Sequence, residues 1–394
     1  MLTVAAAAVV LPGATVLPGV AALPGISGSA SAAPAPLLRA PDGGAEPAAD
    51  PKPEADPKPA ADPAPAAEAA PAADPKPADP KPAADPAAAA PAAAPNPAAA
   101  GDPAPPAAPE PPARPRFQEF MVPSSMGPVK VQVQWAARGG DAALYLLDGL
   151  RARDDFNAWS FETNAMRQFI DDDVTLVMPV GGQSSWYSDW RAPSGTNGQK
   201  FTYKWETFLS DELPAFLEQH GVSRTRNAVA GLSMGGSAAL ALAAYHRDQF
   251  KHASSFSGYL NISAPGMREA IRLAMLDAGR FNVDSMAWPW SPAWLRMDPF
   301  VFAPQLRGLP MYVSAASGIP GPYDNREGQT AFNTVNAIAL EALSMVNTVA
   351  FMSRLKQLGI DANFHSPAKG THSWGYWQDQ LATARPDILA ALGV

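Results

Sequence analysis

The sequence predicts an α/β domain: a doubly wound, mostly parallel sheet with helices on both faces. Three observations predict it. Apolar runs of strand length alternate with segments of helix length through residues 116–394. One run, 227–230, opens directly into Gly231-Leu232-Ser233-Met234-Gly235 and then into a helix of small residues. Finally, Asp148, Gly181 and Ser233 each follow the carboxyl end of a predicted strand, where open α/β sheets carry their sites.

The elements follow in chain order. Val129, Val131, Val133 and Trp135 alternate with Lys130, Gln132 and Gln134, the period of a strand with one wet face. Residues 142–147 are apolar without interruption, as in a strand buried on both faces, and stop at Asp148-Gly149-Leu150-Arg151. A second buried strand at 174–180 ends in Gly181-Gly182-Gln183, and 203–217 reads as an amphipathic helix. Beyond the 227–230 strand, strands are expected at 252–257, 311–316 and 361–365, and helices over 235–245, 266–278, 330–357 and 376–392.

Outside this domain the composition changes. Residues 34–115 hold 26 of the 44 prolines, interleaved with alanine and with Asp-Pro-Lys-Pro units at 50–53, 56–59, 74–77 and 79–82. With almost no large apolar side chains, the segment 33–115 reads as a disordered, polyproline-rich linker without a catalytic role, either an envelope-spanning tether or a solubilising spacer. Residues 1–32 are small and apolar and end in Ala30-Ser31-Ala32, the pattern of an export-signal cleavage site. They lack a basic start and carry Pro12, Pro18, Pro24 and four glycines, breakers that an unsupported membrane-spanning helix tolerates poorly. Export to the cell envelope or beyond is the expectation.

Charge and residue usage exclude several function classes. The chain carries a net −8, of which residues 1–115 supply −6, so the 279-residue domain holds only −2 and is no electrostatic nucleic-acid binder. With no cysteine, neither a disulfide framework nor a thiolate zinc site exists. The five histidines are scattered without metal-ligand spacing, so no metal and no cofactor is expected.

Gly-x-Ser-x-Gly between strand and helix is the pattern of a nucleophile elbow. A strained turn aims Ser233 outward, and Gly231 and Gly235 let strand and helix approach. A helix N-cap serine in a glycine-rich turn would not need both glycines. A serine hydroxyl requires a general base, itself oriented by an acid, and after an elbow the chain order is serine, acid, histidine. His372, in Gly370-Thr371-His372-Ser373-Trp374 before the last helix, is the candidate base, and His365 ends a strand and reads as structural. His220 reads as a helix-end cap, and His246 and His252 are expected at the surface. The generic position of the acid, after the 311–316 strand, favours Asp324, with Glu327 and Glu341 as alternatives. The oxyanion donors would be the N–H groups of Met234, next to the nucleophile, and of the Gly149-Leu150 loop.

Several stretches resemble the antigen 85 mycolyltransferases of mycolic-acid bacteria, members of the α/β-hydrolase superfamily with an esterase-D-like core. They are Tyr145-Leu146-Leu147-Asp148-Gly149-Leu150-Arg151-Ala152, Asp154-Asp155-Phe156-Asn157 with Trp159, and Val177-Met178-Pro179-Val180-Gly181-Gly182-Gln183-Ser184-Ser185 through Trp190. Thr202 to Leu209, Gly231-Leu232-Ser233-Met234 and Gly370 to Trp374 complete the set, and the likeness runs from about residue 117 to 394. The resemblance implies an α/β-hydrolase fold, secretion, and transfer of a mycoloyl chain from trehalose monomycolate to a second trehalose monomycolate or to arabinogalactan. It implies a Ser–Glu–His triad of Ser233, Glu341 and His372, which moves the acid from Asp324 to Glu341. It also implies oxyanion donors at Leu150 and Met234, and sugar contacts at Asp148, Arg151 and Trp374. A monomer is expected, with fibronectin binding as a property of the family. A plain carboxylesterase or a diacylglycerol acyltransferase would use the same triad. The sequence departs from the family at 191–198, a loop without cysteines, and at Gly235, where the mycobacterial proteins have alanine. Trp288, Trp290 and Trp294 are candidates for part of an acyl channel.

Overall fold

The computed structural model describes residues 115–324 and 331–394. Eight strands form one sheet: β1 (Phe117–Val122), β2 (Val129–Gln134), β3 (Ala142–Leu147), β4 (Val174–Pro179), β5 (Asn227–Leu232), β6 (Phe250–Phe256), β7 (Met311–Ser314) and β8 (Asn363–His365). Their spatial order is β1-β2-β4-β3-β5-β6-β7-β8. β1 and β2 are antiparallel, as are β2 and β4, and every other neighbouring pair is parallel. The strand order reverses around β3 and β5, so the loops at their carboxyl ends open onto one crevice.

Period-two alternation divides each central strand between two cores. Ala143, Tyr145 and Leu147 of β3 face one core, and Ala142, Leu144 and Leu146 face the other. Helix α1 (Met234–Tyr245) packs into the first core through Ala238, Ala239, Leu242 and Ala243. The last helix covers the opposite face through Trp377, Leu381, Ala384 and Ile388. Two longer helices lie between them in sequence, α2 (Met267–Gly279) and α3 (Ala331–Leu358), which makes the last helix α4 (Trp374–Leu392). Over Asn333–Leu358, α3 is long and apolar enough to cross a bilayer by composition. Here it belongs to the domain, because Phe351 and Leu355 are core residues and the His372 N–H bonds the Ala337 carbonyl.

Three expectations need correction. β1 has no counterpart in the sequence reading, because its exposed edge and mixed residues (FQEFMV) give no clean alternation. The face of β2 read as wet is covered: Gln132 and Gln134 are buried. Gln132 is satisfied by the Asn157 N–H and the Ser160 hydroxyl, and Gln134 donates to the Met166 carbonyl. The 203–217 helix begins at Trp205, and its middle, Phe208–Glu212, widens into a π-helical turn before Leu213–Glu218 resumes the α-helix.

Candidate active site

The elbow is tight because its glycines leave no room for a side chain. A Cβ on Gly231 would fall 2.3 Å from the Gly235 carbonyl oxygen, and one on Gly235 would fall 2.4 Å from the Asp148 carbonyl oxygen. The departure at Gly235 thus lets the β3 loop press closer to the turn than an alanine would. Ser233 itself sits at φ 53°, ψ −121°, a conformation disfavoured for an L-residue, and its N–H is anchored to the Phe256 carbonyl at 2.8 Å. Met234 opens α1, so its N–H has no intrahelical partner and lies at the positive end of the helix dipole. A Cβ on Gly149 would stand 3.6 Å from the Ser233 Cβ, which brings the Gly149-Leu150 backbone against the serine.

Glu341, on α3, is buried and accepts three hydrogen bonds. The donors are the Ser257 hydroxyl at 2.8 Å, the Ala316 N–H at 2.6 Å and His372 Nδ1 at 2.8 Å. With Nδ1 donating to this carboxylate, Nε2 of the neutral ring is left as an acceptor, the tautomer a general base needs. The Trp377 indole crosses the His372 ring at 4.9 Å and donates to the Ser257 hydroxyl. The Tyr259 ring lies 6.0 Å from the His372 ring, and its phenol interacts with the Ser233 hydroxyl. Burial raises the Tyr259 phenol above its ordinary value, the Glu341 charge adds to the rise, and Ser233 opposes it. Tyr259 thus lies between the elbow serine and the His372 ring that meets Glu341.

Asp324 is equally buried but meets different groups: the Thr371 and Tyr376 hydroxyls and the Gly321 N–H. It anchors the loop that carries His372 and does not touch the imidazole. Glu327 lies outside the described residues. His365 meets Gln380 at 2.8 Å, a structural contact, and His220 caps its own helix through the Phe216 carbonyl. The surface expectation fails for His252, which is fully buried in β6 against Ser254. Burial pushes its imidazole down to about 4, so it stays neutral. His246 is partly buried and paired with Glu206 at 2.9 Å.

The three expected sugar contacts differ in setting. Asp148 is buried; one carboxyl oxygen accepts the Ala158 N–H at 3.0 Å, and the other has no partner among the described residues. Burial drives its carboxyl up to about 7. Trp374 opens α4 half-buried, its ring edge-on to Trp159 at 5.8 Å. Arg151 is exposed and ion-paired to Asp277 of α2. Of the three tryptophans considered for an acyl channel, Trp294 is a core residue, whereas Trp288 and Trp290 are exposed.

Sequence reasoning missed Ser257, Tyr259 and Trp377. Ser257 had a readable signal, since it ends a predicted strand and precedes a glycine; the structure places it at φ 51°. Tyr259 and Trp377 carried none, since each reads as an ordinary core aromatic.

The chain is similar to known proteins in both sequence and fold. The esterase family model matches residues 124–388. The diacylglycerol acyltransferase/mycolyltransferase Ag85C of Mycobacterium avium is 44% identical over 278 residues, covering 69% of this chain and 76% of the relative. The Ag85B protein of Mycolicibacterium smegmatis is 43% identical over 285 residues, covering 69% and 84%. The crystal structure of Mycobacterium tuberculosis MPT51 (FbpC1) superposes with a TM-score of 0.61 at 32% identity, over 71% of this chain and all of that one. An S-formylglutathione hydrolase from Agrobacterium tumefaciens shares the fold, with a TM-score of 0.52 at 15% identity. By both sequence and architecture the chain belongs to the esterase family of α/β-hydrolase fold and, within it, to the antigen 85 acyltransferases/mycolyltransferases.

Proposed function

We propose that the protein is a serine-type acyltransferase that moves a mycoloyl chain from trehalose monomycolate to a sugar hydroxyl through an acyl-enzyme on Ser233. The observation that carries this reading is the Glu341–His372 pair at 2.8 Å beside an elbow serine. His372 Nε2 takes the Ser233 hydroxyl proton as Oγ attacks the ester carbonyl. The Leu150 and Met234 N–H groups receive the oxyanion, trehalose leaves with the proton from His372, and the acyl chain remains on Ser233. In the second half the acceptor hydroxyl gives its proton to His372 and attacks the acyl carbonyl, the bond to Ser233 Oγ breaks, and His372 returns the proton to the serine as the new ester leaves. The acceptor is a second trehalose monomycolate or arabinogalactan. Transfer outruns hydrolysis when the acceptor is held in place, since oriented groups reach effective molarities of about 10⁵ M or more. Asp148 and Trp374 are the proposed contacts that hold the sugar, and Arg151 lies at the exposed rim of the same loop.

The domain 116–394 is read as the catalytic unit, 33–115 as a linker, either tether or spacer, and 1–32 as an export segment, a reading that puts the enzyme at the cell envelope; the linker and the export segment lie outside the described residues. It is read as a monomer that uses no cofactor or metal, with fibronectin binding as a secondary property.

The test incubates the full chain with trehalose monomycolate and follows lipids by chromatography and the protein by intact mass. Trehalose dimycolate and an acyl adduct on Ser233 are expected. Free mycolic acid as the sole product would reassign the protein to the hydrolases and remove the acceptor-site roles. An adduct that persists on Ser233→Ala would sink the nucleophile assignment.

A further inference from the structure

The segment 181–187, between β4 and the π-turn helix, carries more backbone strain than its length requires. Gly181 and Gly182 stand at φ 96° and 82°, and Ser184, Trp186 and Tyr187 at 57°, 54° and 45°. For three non-glycine residues, two of them large aromatics, this left-handed region is disfavoured and persists only when surrounding contacts impose it. The contacts are there. Trp205 backs the segment: a Cβ on Gly182 would meet its ring at 3.0 Å, and the Tyr187 ring crosses it at 5.4 Å. Internally, the Ser185 hydroxyl accepts the Tyr187 N–H, and the Ser185 carbonyl accepts the Trp190 indole N–H.

What the strain achieves is seen on the other side. The Ser184 N–H donates to the Leu150 carbonyl at 2.9 Å. The Trp186 N–H donates to Met234 Sδ at 3.2 Å. The Tyr187 phenol oxygen accepts the Asp148 N–H at 2.9 Å. Leu150 and Asp148 belong to the loop after β3, and Met234 belongs to the elbow after β5. One short segment therefore grips both residues proposed as oxyanion donors, together with the buried aspartate beside them. In an extended backbone the 184 and 186 N–H groups would point to the same side of the strand, and in a helix both would run along its axis; the left-handed residues turn them toward two different elements instead.

We infer that segment 181–187 is a template that sets the separation of the Leu150 and Met234 N–H groups, with Tyr187 and Trp186 as positioning residues for the tetrahedral transition state. The inference rests on the oxyanion roles given under Proposed function. Neither residue touches the reacting atoms. Their effect passes through the Met234 side chain and the Asp148 peptide N–H that they hold, so it should fall on the chemical step and leave substrate capture alone.

The experiment measures hydrolysis of 4-nitrophenyl butyrate and of its thionoester counterpart by the full chain. The larger, softer sulfur of a thionoester does not fit donors spaced for oxygen, so the oxygen-to-sulfur rate ratio reports on the hole itself. Tyr187→Phe removes the acceptor of the Asp148 N–H. It should lower kcat by about 10- to 10²-fold, leave KM within about threefold, and reduce the oxygen-to-sulfur ratio. Met234→Leu, which removes the sulfur but keeps the donor N–H, should move the same ratio in the same direction, and it decides the matter if Tyr187→Phe does not fold. Wild-type kcat and ratio in both variants, with only a lower melting temperature, would mean that the segment merely packs, and would overturn the inference. Ser233→Ala run alongside separates the two claims. Turnover retained there defeats the site reading, whereas a dead Ser233→Ala beside fully active Tyr187→Phe and Met234→Leu defeats the template alone.

Discussion

Two buried carboxylates grip the loop before α4 and the first turn of that helix, and they do different things. Asp324, in the stretch after β7, holds Thr371 and Tyr376 through their hydroxyls and folds back on the Gly321 N–H. Glu341, on α3, holds His372 through Nδ1 and is itself held by the Ser257 hydroxyl and the Ala316 N–H. Each accepts three hydrogen bonds, which is how an acid is kept out of water without large penalty. Only one of them meets an imidazole. Position after a strand therefore does not identify the acid of a triad; the acid is the carboxylate that meets the imidazole. The other supplies the stiffness of the loop that presents it.

The comparison breaks most visibly by exchanging each carboxylate for its amide. Glu341→Gln puts an N–H donor opposite His372 Nδ1 and favours the wrong tautomer, so kcat for acyl transfer should fall by about 10⁴-fold with the fold intact. Asp324→Asn leaves the imidazole contact untouched. It should lower stability by about 1–3 kcal/mol, read by chemical denaturation, while kcat stays within about 10-fold of wild type. Equal losses of kcat in the two variants would end the division of labour drawn here.

Asp148 is a third buried carboxylate, and it sharpens the contrast because its partners do not compensate its burial. It accepts the Ala158 N–H, and desolvation carries its pKa up to about 7. The folded protein therefore keeps a proton that the unfolded chain releases above the ordinary value of 3.8. The neutral form's contribution is fully present below that value and is lost as pH rises toward 7, so stability should decline across this window by up to about 4 kcal/mol. Asp148→Asn, which cannot ionise, should flatten that slope in denaturation curves taken between these two pH values. A wild-type curve that already runs flat, parallel to the variant, would show that the carboxyl is ionised and otherwise satisfied.

The fold was legible wherever burial produces a pattern. The unbroken apolar run 142–147 and the Gly-x-Ser-x-Gly turn identify β3, β5 and the start of α1 almost to the residue. β1 escaped because an edge strand need not alternate, and the Gln132 face misled because glutamines covered by Asn157 and Ser160 look in sequence like glutamines in water. Within the site, Ser233 and His372 announce themselves by local context. Glu341 does not, since it is one of many polar residues in a long helix, 31 residues before the histidine it meets. The family resemblance implies it where the position after a strand favours Asp324, and its contact with His372 supports that reading. His252 was misplaced for a related reason: nothing local says that a histidine in a strand lies at the centre of a sheet.

The smallest expected effect lies one bond beyond Glu341. Ser257, at φ 51°, donates its hydroxyl to Glu341 at 2.8 Å and accepts the Trp377 indole N–H at 2.9 Å. Removing that hydroxyl leaves the glutamate with the Ala316 N–H and the imidazole, so its orientation is weakened but not lost. The indole N–H is left buried without an acceptor, which costs about 1–2 kcal/mol. Ser257→Ala should thus lower the denaturation midpoint measurably and reduce kcat by about 10-fold, the scale of a group that orients an orienting residue. Glycine at 257 separates backbone strain from the hydroxyl, because it relieves the left-handed conformation yet lacks the same oxygen. If Ser257→Gly regains stability over Ser257→Ala while kcat remains equally low, the hydroxyl acts on Glu341; if kcat recovers with stability, the residue only shapes the turn after β6.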